Sequence, residues 1–226
     1  MSSYTFKPDK YSSHMKIINY LKALNKGKLK VLDVGCSKGF IAKSLKGNNF
    51  EFYGIEYNKE DAKEAKKYYK EIKIADLDKQ KPDYSNNSFD IVIMADIIEH
   101  LKDSSGTVKY FAKFLKKDGL MVISTANVAN IYVRLKLLMG NFDYEERGIM
   151  DKTHLRFFTL KTFKKLAKEA NLNIIKEDFT PIPLPMVHKS FREGRMLNPI
   201  HKLNYAAIKI MPRLLSFQLI LYCRKN

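Results

Sequence analysis

The sequence predicts an α/β fold, a mostly parallel sheet with helices on both faces, and three observations carry that prediction. From about residue 13 to Ser124, short apolar runs alternate with stretches of helical periodicity, as in repeated strand-helix-strand units. The run Lys30 to Val34 breaks into Gly35-Cys36-Ser37-Lys38-Gly39, and Phe40, Ile41, Ala42 and Leu45 follow at helical spacing, so a strand hands over to a helix through a glycine turn. At 226 residues the chain suits one domain, residues 1–226, with a sizeable core and no room for an independent second one.

The elements follow in order. An opening helix is predicted near Ser13 to Leu24, then the strand ending at Val34 and the helix from Phe40. Phe52 to Glu56 reads as a second strand. The helix after it interleaves Lys59, Lys63, Lys66, Lys67 and Lys70 with Glu60, Asp61, Glu64 and Glu71, which is how a solvated helix face looks. Ile72 to Leu77 and Phe89 to Ala95 are the next strands. A helix ending in Lys116-Lys117-Asp118-Gly119, with basic residues and a glycine stop, leads into the strand Leu120 to Ser124. Tyr68, Tyr69, Phe111 and Phe114 fall at positions that suit a core rather than a base-stacking platform.

Beyond Ser124 the pattern changes. Residues 127–158 form a connection long enough to expect a functional role. Within it Asn130 is placed to cap a short helix, Ile131 to Met139, with Ile131, Leu135 and Leu138 on one face. Thr159 caps the amphipathic helix Leu160 to Ala170, and Leu172 to Phe179 and Gln218 to Arg224 read as the last strands. Between these lies a second insert, 180–217, with Pro181, Pro183 and Pro185, then Arg192 and Arg195, and a helix opened by Asn198-Pro199 and ended by Pro212. Ile200, Leu203, Ala207 and Ile210 share one face of that helix, with Lys202 and Lys209 at its flanks. Such a helix either packs over a cleft or lies on a membrane surface.

The strand ends carry the chemistry. Ligands of open α/β sheets bind at the turns after the strands. A pyrophosphate on the glycine turn would be repelled by Asp33, whereas a cationic ligand would be held. Glu56 stands about 20 residues beyond Gly35, the spacing at which a carboxylate accepts both ribose hydroxyls. In these residues the sequence resembles motif I, D-x-G-C-x-x-G, of the class I S-adenosylmethionine-dependent methyltransferases. Phe89 to Leu101 matches their motif IV with an E-H-L continuation common among small-molecule and lipid methyltransferases. Asp151-Lys152-Thr153-His154-Leu155-Arg156-Phe157-Phe158-Thr159 resembles a segment of methyltransferases associated with ubiquinone-type, methionine-related and surface-glycan pathways.

The resemblance implies a Rossmann-like, seven-stranded sheet closed by a C-terminal antiparallel hairpin, and S-adenosylmethionine as cofactor. It places the cofactor on Asp33, Gly35, Cys36, Gly39, Glu56, Tyr57, Asp76, Leu77, Ala95 and Asp96, with Asp76 beside the adenine. It implies a small-molecule, lipid-linked or glycan-precursor acceptor, most naturally methylated on oxygen, with the two inserts forming its mouth. A hydroxyl acceptor must lose its proton, which makes His100 and His154 the candidate bases, each with a structural role as the alternative. Glu99 is placed to orient the His100 ring or to hold a divalent ion, and no dedicated metal set is otherwise expected.

Composition bounds the rest. A net charge of +17 and a pI near 9.6 favour acidic partners, an anionic membrane surface among them, unless the lysines serve solubility. Cys36 and Cys223 give no disulfide or zinc pattern, so a reducing, cytoplasmic setting is expected, with peripheral contact to the inner face of a membrane as a refinement. Met1 to Lys10 lacks a signal-peptide core, and the longest apolar run, Leu214 to Cys223, is too short to span a bilayer. An RNA- or membrane-binding module remains the non-enzymatic alternative. An oxidoreductase would want G-x-G-x-x-G without Asp33. Amino-methyltransferases of nucleic acid would want an Asn- or Asp-Pro-Pro-aromatic tetrad where Asp96-Ile97-Ile98-Glu99 stands, and pyrimidine carbon methylation a nearby cysteine.

Overall fold

Five strands run parallel; in the central ones both faces are covered, which suits β-branched and aliphatic residues at successive positions. They are β1 (Leu29–Val34), β2 (Phe50–Glu56), β3 (Glu71–Ile74), β4 (Phe89–Ala95) and β5 (Leu115–Ala126), of which the edge strand β3 is only half-covered. The computed structural model describes residues 9–24, 27–183 and 197–226. Two further strands, β6 (Leu172–Thr180) and β7 (Gln218–Lys225), complete a seven-stranded sheet of order β3-β2-β1-β4-β5-β7-β6. β7 runs antiparallel to both β5 and β6, as the expected closing hairpin.

Alternation along the strands divides the core between the two faces. Leu32, Val34, Val92 and Met94 pack on one side with Phe111, Phe163 and Leu221. Val31, Ile91, Ile93 and Val122 pack on the other with Ile17, Ile18 and Tyr222. The first layer is covered by α4 (Ser104–Ala112) and α6 (Leu160–Glu169), the second by α1 (Ser13–Lys22), α2 (Phe40–Ser44) and α3 (Lys59–Ala65). The lysines of 59–70 are exposed, and Ala62, Ala65 and Tyr69 face inward, as a solvated helix requires. Cys36 and Cys223 are free and buried. Among the described residues no helix is long and apolar enough to cross a membrane.

Several boundaries differ from expectation for identifiable reasons. The helix expected to reach Gly119 stops at Ala112, because Leu115 already pairs with Phe89 as the start of β5. Lys116 to Gly119 form a bulge, Asp118 takes φ 58°, and a Cβ at Gly119 would sit 2.8 Å from the Lys116 carbonyl. β3 ends at Ile74, leaving Asp76 and Leu77 in the turn beyond it.

The inserts hold the larger corrections. Asn130 does cap α5 (Ile131–Leu138) through Tyr132 N, but α5 buries Val133, and Leu135 and Leu138 of the expected face are exposed. In α7 (Leu197–Ile210) the buried residue among the described side chains is Ile208, while Leu203 and Ile210 of the expected face are 71% and 82% exposed. Tyr205 stacks on Tyr11 at 4.4 Å, so this helix packs against the start of the chain. Pro185, Arg192 and Arg195 lie outside the described residues. A short helix, α8 (Pro212–Leu215), then leads into β7.

Thr159 caps α6 as expected, in a reciprocal pair with Thr162: Thr162 N donates to Thr159 Oγ1 at 3.2 Å and Thr159 N to Thr162 Oγ1 at 2.9 Å. Thr159→Ala is expected to cost about 1 kcal/mol, and with it roughly 2–4 °C of Tm in thermal denaturation.

Candidate active site

The carboxyl ends of β1, β2 and β4 surround a cavity of about 580 Å³, within the range of small-molecule and cofactor pockets. Its floor is the glycine turn. Gly35 holds φ 77°, and a Cβ there would collide with the Ile97 side chain, so both conformation and space demand glycine. Gly39 also has a positive φ, 76°, but lies outside the lining: a Cβ there would meet the Tyr69 ring at 2.9 Å. The close approach of Ala65 and Tyr68 beside it shows that Gly39 also lets the start of α2 pack on the end of α3.

The other expected cofactor residues, Asp33, Gly35, Cys36, Glu56, Tyr57, Asp76, Leu77, Ala95 and Asp96, all line the cavity, as do His100 and His154. The turn's amides point away from a phosphate role. Gly35 N and Cys36 N donate to the Ile55 carbonyl at 2.8 and 3.0 Å, and Ser37 N donates to Glu56 Oε2 at 2.7 Å. Tyr57 N and Asn58 N donate to Glu56 Oε1, both at 2.9 Å, fixing the carboxylate at the end of β2 and leaving an acceptor site on Oε2.

Charge sets this cavity apart from the rest of the chain. Carboxylates of Asp33, Glu56, Asp61, Asp76, Asp96 and Glu99 line it, and Arg147 is the one lysine or arginine among the described lining residues, in a chain of net charge +17. Burial pushes the Asp33 carboxyl up to about 7; the hydrogen bond from Tyr69 Oη, 2.7 Å, works against this, and the Glu56 charge adds to it. Burial likewise raises Glu99 to about 8, helped by the charge of Asp96. An acidic, partly desolvated pocket of this kind holds a cation and repels a phosphate.

Asp96 takes φ 52° at the end of β4 and is tied down from three elements. Its carboxylate accepts from Ser124 Oγ of β5 at 2.6 Å, Ser13 Oγ of α1 at 2.9 Å and Gln218 Nε2 of β7 at 2.8 Å. Sequence reasoning missed Ser13, His14 and Gln218; serine, histidine and glutamine at element ends carry no local signal. The turn Ile98–His100 is clamped by the Asp151–Arg156 segment, whose Leu155 N and Arg156 N donate to the Glu99 carbonyl at 2.8 and 3.0 Å.

That clamp sets His100 and His154 edge to face with ring centroids 4.9 Å apart. His154 Nδ1 lies 3.0 Å from the Ile149 carbonyl and His100 Nδ1 3.1 Å from the Thr153 carbonyl. A carbonyl only accepts, so each Nδ1 carries the proton and each Nε2 is left as the basic nitrogen of the neutral ring. Burial lowers the His154 pKa, with His100 contributing, which keeps that ring neutral. Glu99 Oε2 is buried without a hydrogen-bond partner among the described residues. Glu99, His100 and His154 each bring one donor atom within 4.8 Å of the others, so the three could hold a divalent cation.

The comparisons with known proteins give the family and the fold. A family model described as a methyltransferase domain matches residues 9–177. The chain belongs to that family. The residues fit S-adenosylmethionine as its cofactor: an acidic pocket for a molecule that carries a sulfonium and an ammonium, the oriented Glu56 at the ribose spacing, and turn amides already bonded within the chain. Relatives of this methyltransferase include the ubiquinone biosynthesis O-methyltransferases of Neisseria meningitidis, 31% identical over 64% of the chain and 64% of the relative, and of Pelagibacter ubique, 26% identical over 66% and 64%. The chain thus spans a little under two thirds of the length of these relatives.

Among solved structures, a SAM-dependent methyltransferase from Archaeoglobus fulgidus superposes with TM-score 0.62 at 18% identity, covering 96% of this chain and 97% of its own. The phosphoethanolamine N-methyltransferase 2 of Haemonchus contortus in complex with S-adenosyl-L-methionine gives 0.61 at 13% identity, over 93% of this chain and 52% of its own. These likenesses show the fold.

The raised carboxyls make stability depend on pH. Between about pH 4, where unfolded carboxylates titrate, and about 7 to 8, the native state binds more protons than the unfolded one, so this contribution to stability falls as pH rises through the window. Asp33→Asn removes the Asp33 share: its unliganded Tm should decline less than wild type from about pH 5 to 8, and parallel profiles would contradict the assignment.

Proposed function

We propose that this methyltransferase methylates a hydroxyl of a small-molecule, lipid-linked or glycan-precursor acceptor, and that peripheral contact with an anionic membrane accompanies that task. The observation that carries the reading is the pair of histidines, each held at Nδ1 by a main-chain carbonyl, beside an acidic cavity. The names of the relatives, O-methyltransferases of ubiquinone biosynthesis, support oxygen as the acceptor atom.

In this reading Glu56 accepts the ribose hydroxyls, Asp76 and Leu77 flank the adenine, and Asp33, Gly35, Cys36, Tyr57, Ala95 and Asp96 complete the cradle. The bound sulfonium supplies an already activated methyl group. The chain's part is to hold the acceptor in line, exclude water and remove the hydroxyl proton. His154 is the better base: it is buried, neutral and fixed in tautomer by Ile149. His100, held by Thr153, is its neighbour in the same wall. The unpartnered Glu99 Oε2 favours a second use of the same atoms, a divalent cation that lowers the acceptor's pKa.

Two measurements test this. Glu56→Ala should weaken S-adenosylmethionine binding by about 1.5–3 kcal/mol in calorimetry, and unchanged affinity would refute the ribose role. With methyl-labelled S-adenosylmethionine and a cellular lipid extract, wild type should place base-stable ether label in the organic phase. His154→Ala and His100→Ala should each lower that rate, by roughly 10²- to 10⁴-fold for the residue acting as base, with cofactor affinity nearly intact. Loss of wild-type activity on adding EDTA would assign the three side chains to a cation, and full activity in both variants would sink the histidine mechanism.

A further inference from the structure

We propose that α5 and the basic groove beside it form a docking surface for an anionic lipid bilayer. Its biological use rests on the lipid-linked acceptor proposed above; the observations behind it and the test of it do not. α5 buries a single residue, Val133, which packs with Ile149 and Met150 apart from the two main cores. Tyr132 and Lys136, one turn apart, are held to Glu145 at 2.7 and 3.0 Å, so that side of the helix is anchored to the following loop.

The rest of α5 and its exit turn is apolar and outward. Leu137, Leu138 and Met139 are 57%, 83% and 69% exposed, and Leu135, Phe142 and Tyr144 extend the patch. Soluble proteins seldom leave so many neighbouring large apolar side chains to water unless something covers them. The helix carries two charges, Arg134 and Lys136, and both are positive.

Arg134, one turn from Leu138, also lines a groove of about 840 Å³ with Lys161, Lys164, Lys165, Lys168 and Arg213. Among the described residues no carboxylate lines that groove. Lys164 and Lys165 pair with Glu177 and Glu169, but Lys161, Lys168 and Arg213 have no ion pair among the described residues. An apolar helix side bordered by unneutralised cations is the pattern of a segment lying in the headgroup region of an anionic membrane, where side chains such as Leu138 enter the acyl boundary and the lysines meet phosphates. A second copy of the chain would set these cations against one another, and an acidic protein would satisfy the groove without covering the leucines.

The loop that follows α5 supplies Arg147, Gly148 and Asp151 to the cofactor cavity. Docking through α5 therefore puts a wall of the active site beside the bilayer, within lateral reach of an acceptor dissolved in it.

The test is flotation of the full chain with vesicles of phosphatidylcholine alone or mixed with one third phosphatidylglycerol, at low and high salt. Wild type should float with the anionic vesicles, about tenfold less with the neutral ones, and less at high salt. Leu135→Ser combined with Leu138→Ser and Met139→Ser, and separately Lys161→Glu with Lys165→Glu and Lys168→Glu, should each lose about tenfold of that binding. Both variants should keep the thermal shift that S-adenosylmethionine gives; if the serine variant is misfolded, the glutamate variant, altered only on α6, decides. Equal binding to both vesicle types, or a folded glutamate variant that floats like wild type, overturns the proposal. So does gel filtration in which the serine variant converts a dimer to a monomer, which would assign the patch to a second copy. Methyl transfer in detergent reads the active site independently of all these outcomes.

Discussion

Two backbone hydrogen bonds onto one carbonyl, from Leu155 N and Arg156 N to Glu99 O, hold the functional half of this molecule together. They join the turn after β4 to a segment more than fifty residues later, and Arg156 adds two bonds from its guanidinium to the Lys102 carbonyl. Without that clamp His154 would have no reason to meet His100, and Glu99 would face an open loop. With it, two imidazoles and a carboxylate share one wall, each imidazole fixed in tautomer by a main-chain carbonyl that a mutation cannot delete. The geometry that proton removal or cation binding needs is therefore built from the backbone outward.

Electrostatics then divides the surface. The chain is strongly basic, yet its cavity is acidic and in part desolvated, so the carboxyls of Asp33 and Glu99 are raised rather than lowered. A cationic cofactor supplies the counter-charge this pocket lacks, while the positive surface outside is left for anions. Opposite charge inside and outside is a sorting device: it favours a sulfonium in the pocket and phosphates on the rim, and it disfavours the reverse.

Sequence reading succeeded where chemistry is local. A glycine turn at the end of a buried strand, an acidic residue closing the next strand and a threonine before an amphipathic helix each act through neighbours in the chain, and each stands where it was expected. It failed where local pattern admitted two packings. Leu135, Leu138, Leu203 and Ile210 are spaced like core faces, but their helices bury Val133 and Ile208 instead, because the loop at Glu145 and the ring of Tyr11 fix how those helices are rolled. Gly39, expected from its motif position, has a packing role that the motif does not announce, because the ring of Tyr69 fills the space a Cβ would need.

The sequence by itself determined the parallel core and the strand-end carboxylates, since these follow from periodicity and from residues adjacent along the chain, and its family resemblance added the closing hairpin. Only the tertiary structure decided that Asp96 is held by Ser13, Ser124 and Gln218, that the two histidines are neighbours and that α5 stands with its leucines in water. These depend on contacts between segments that lie far apart in the chain. Such contacts are selected by the total burial and hydrogen bonding of the folded domain, and no single stretch of sequence encodes them.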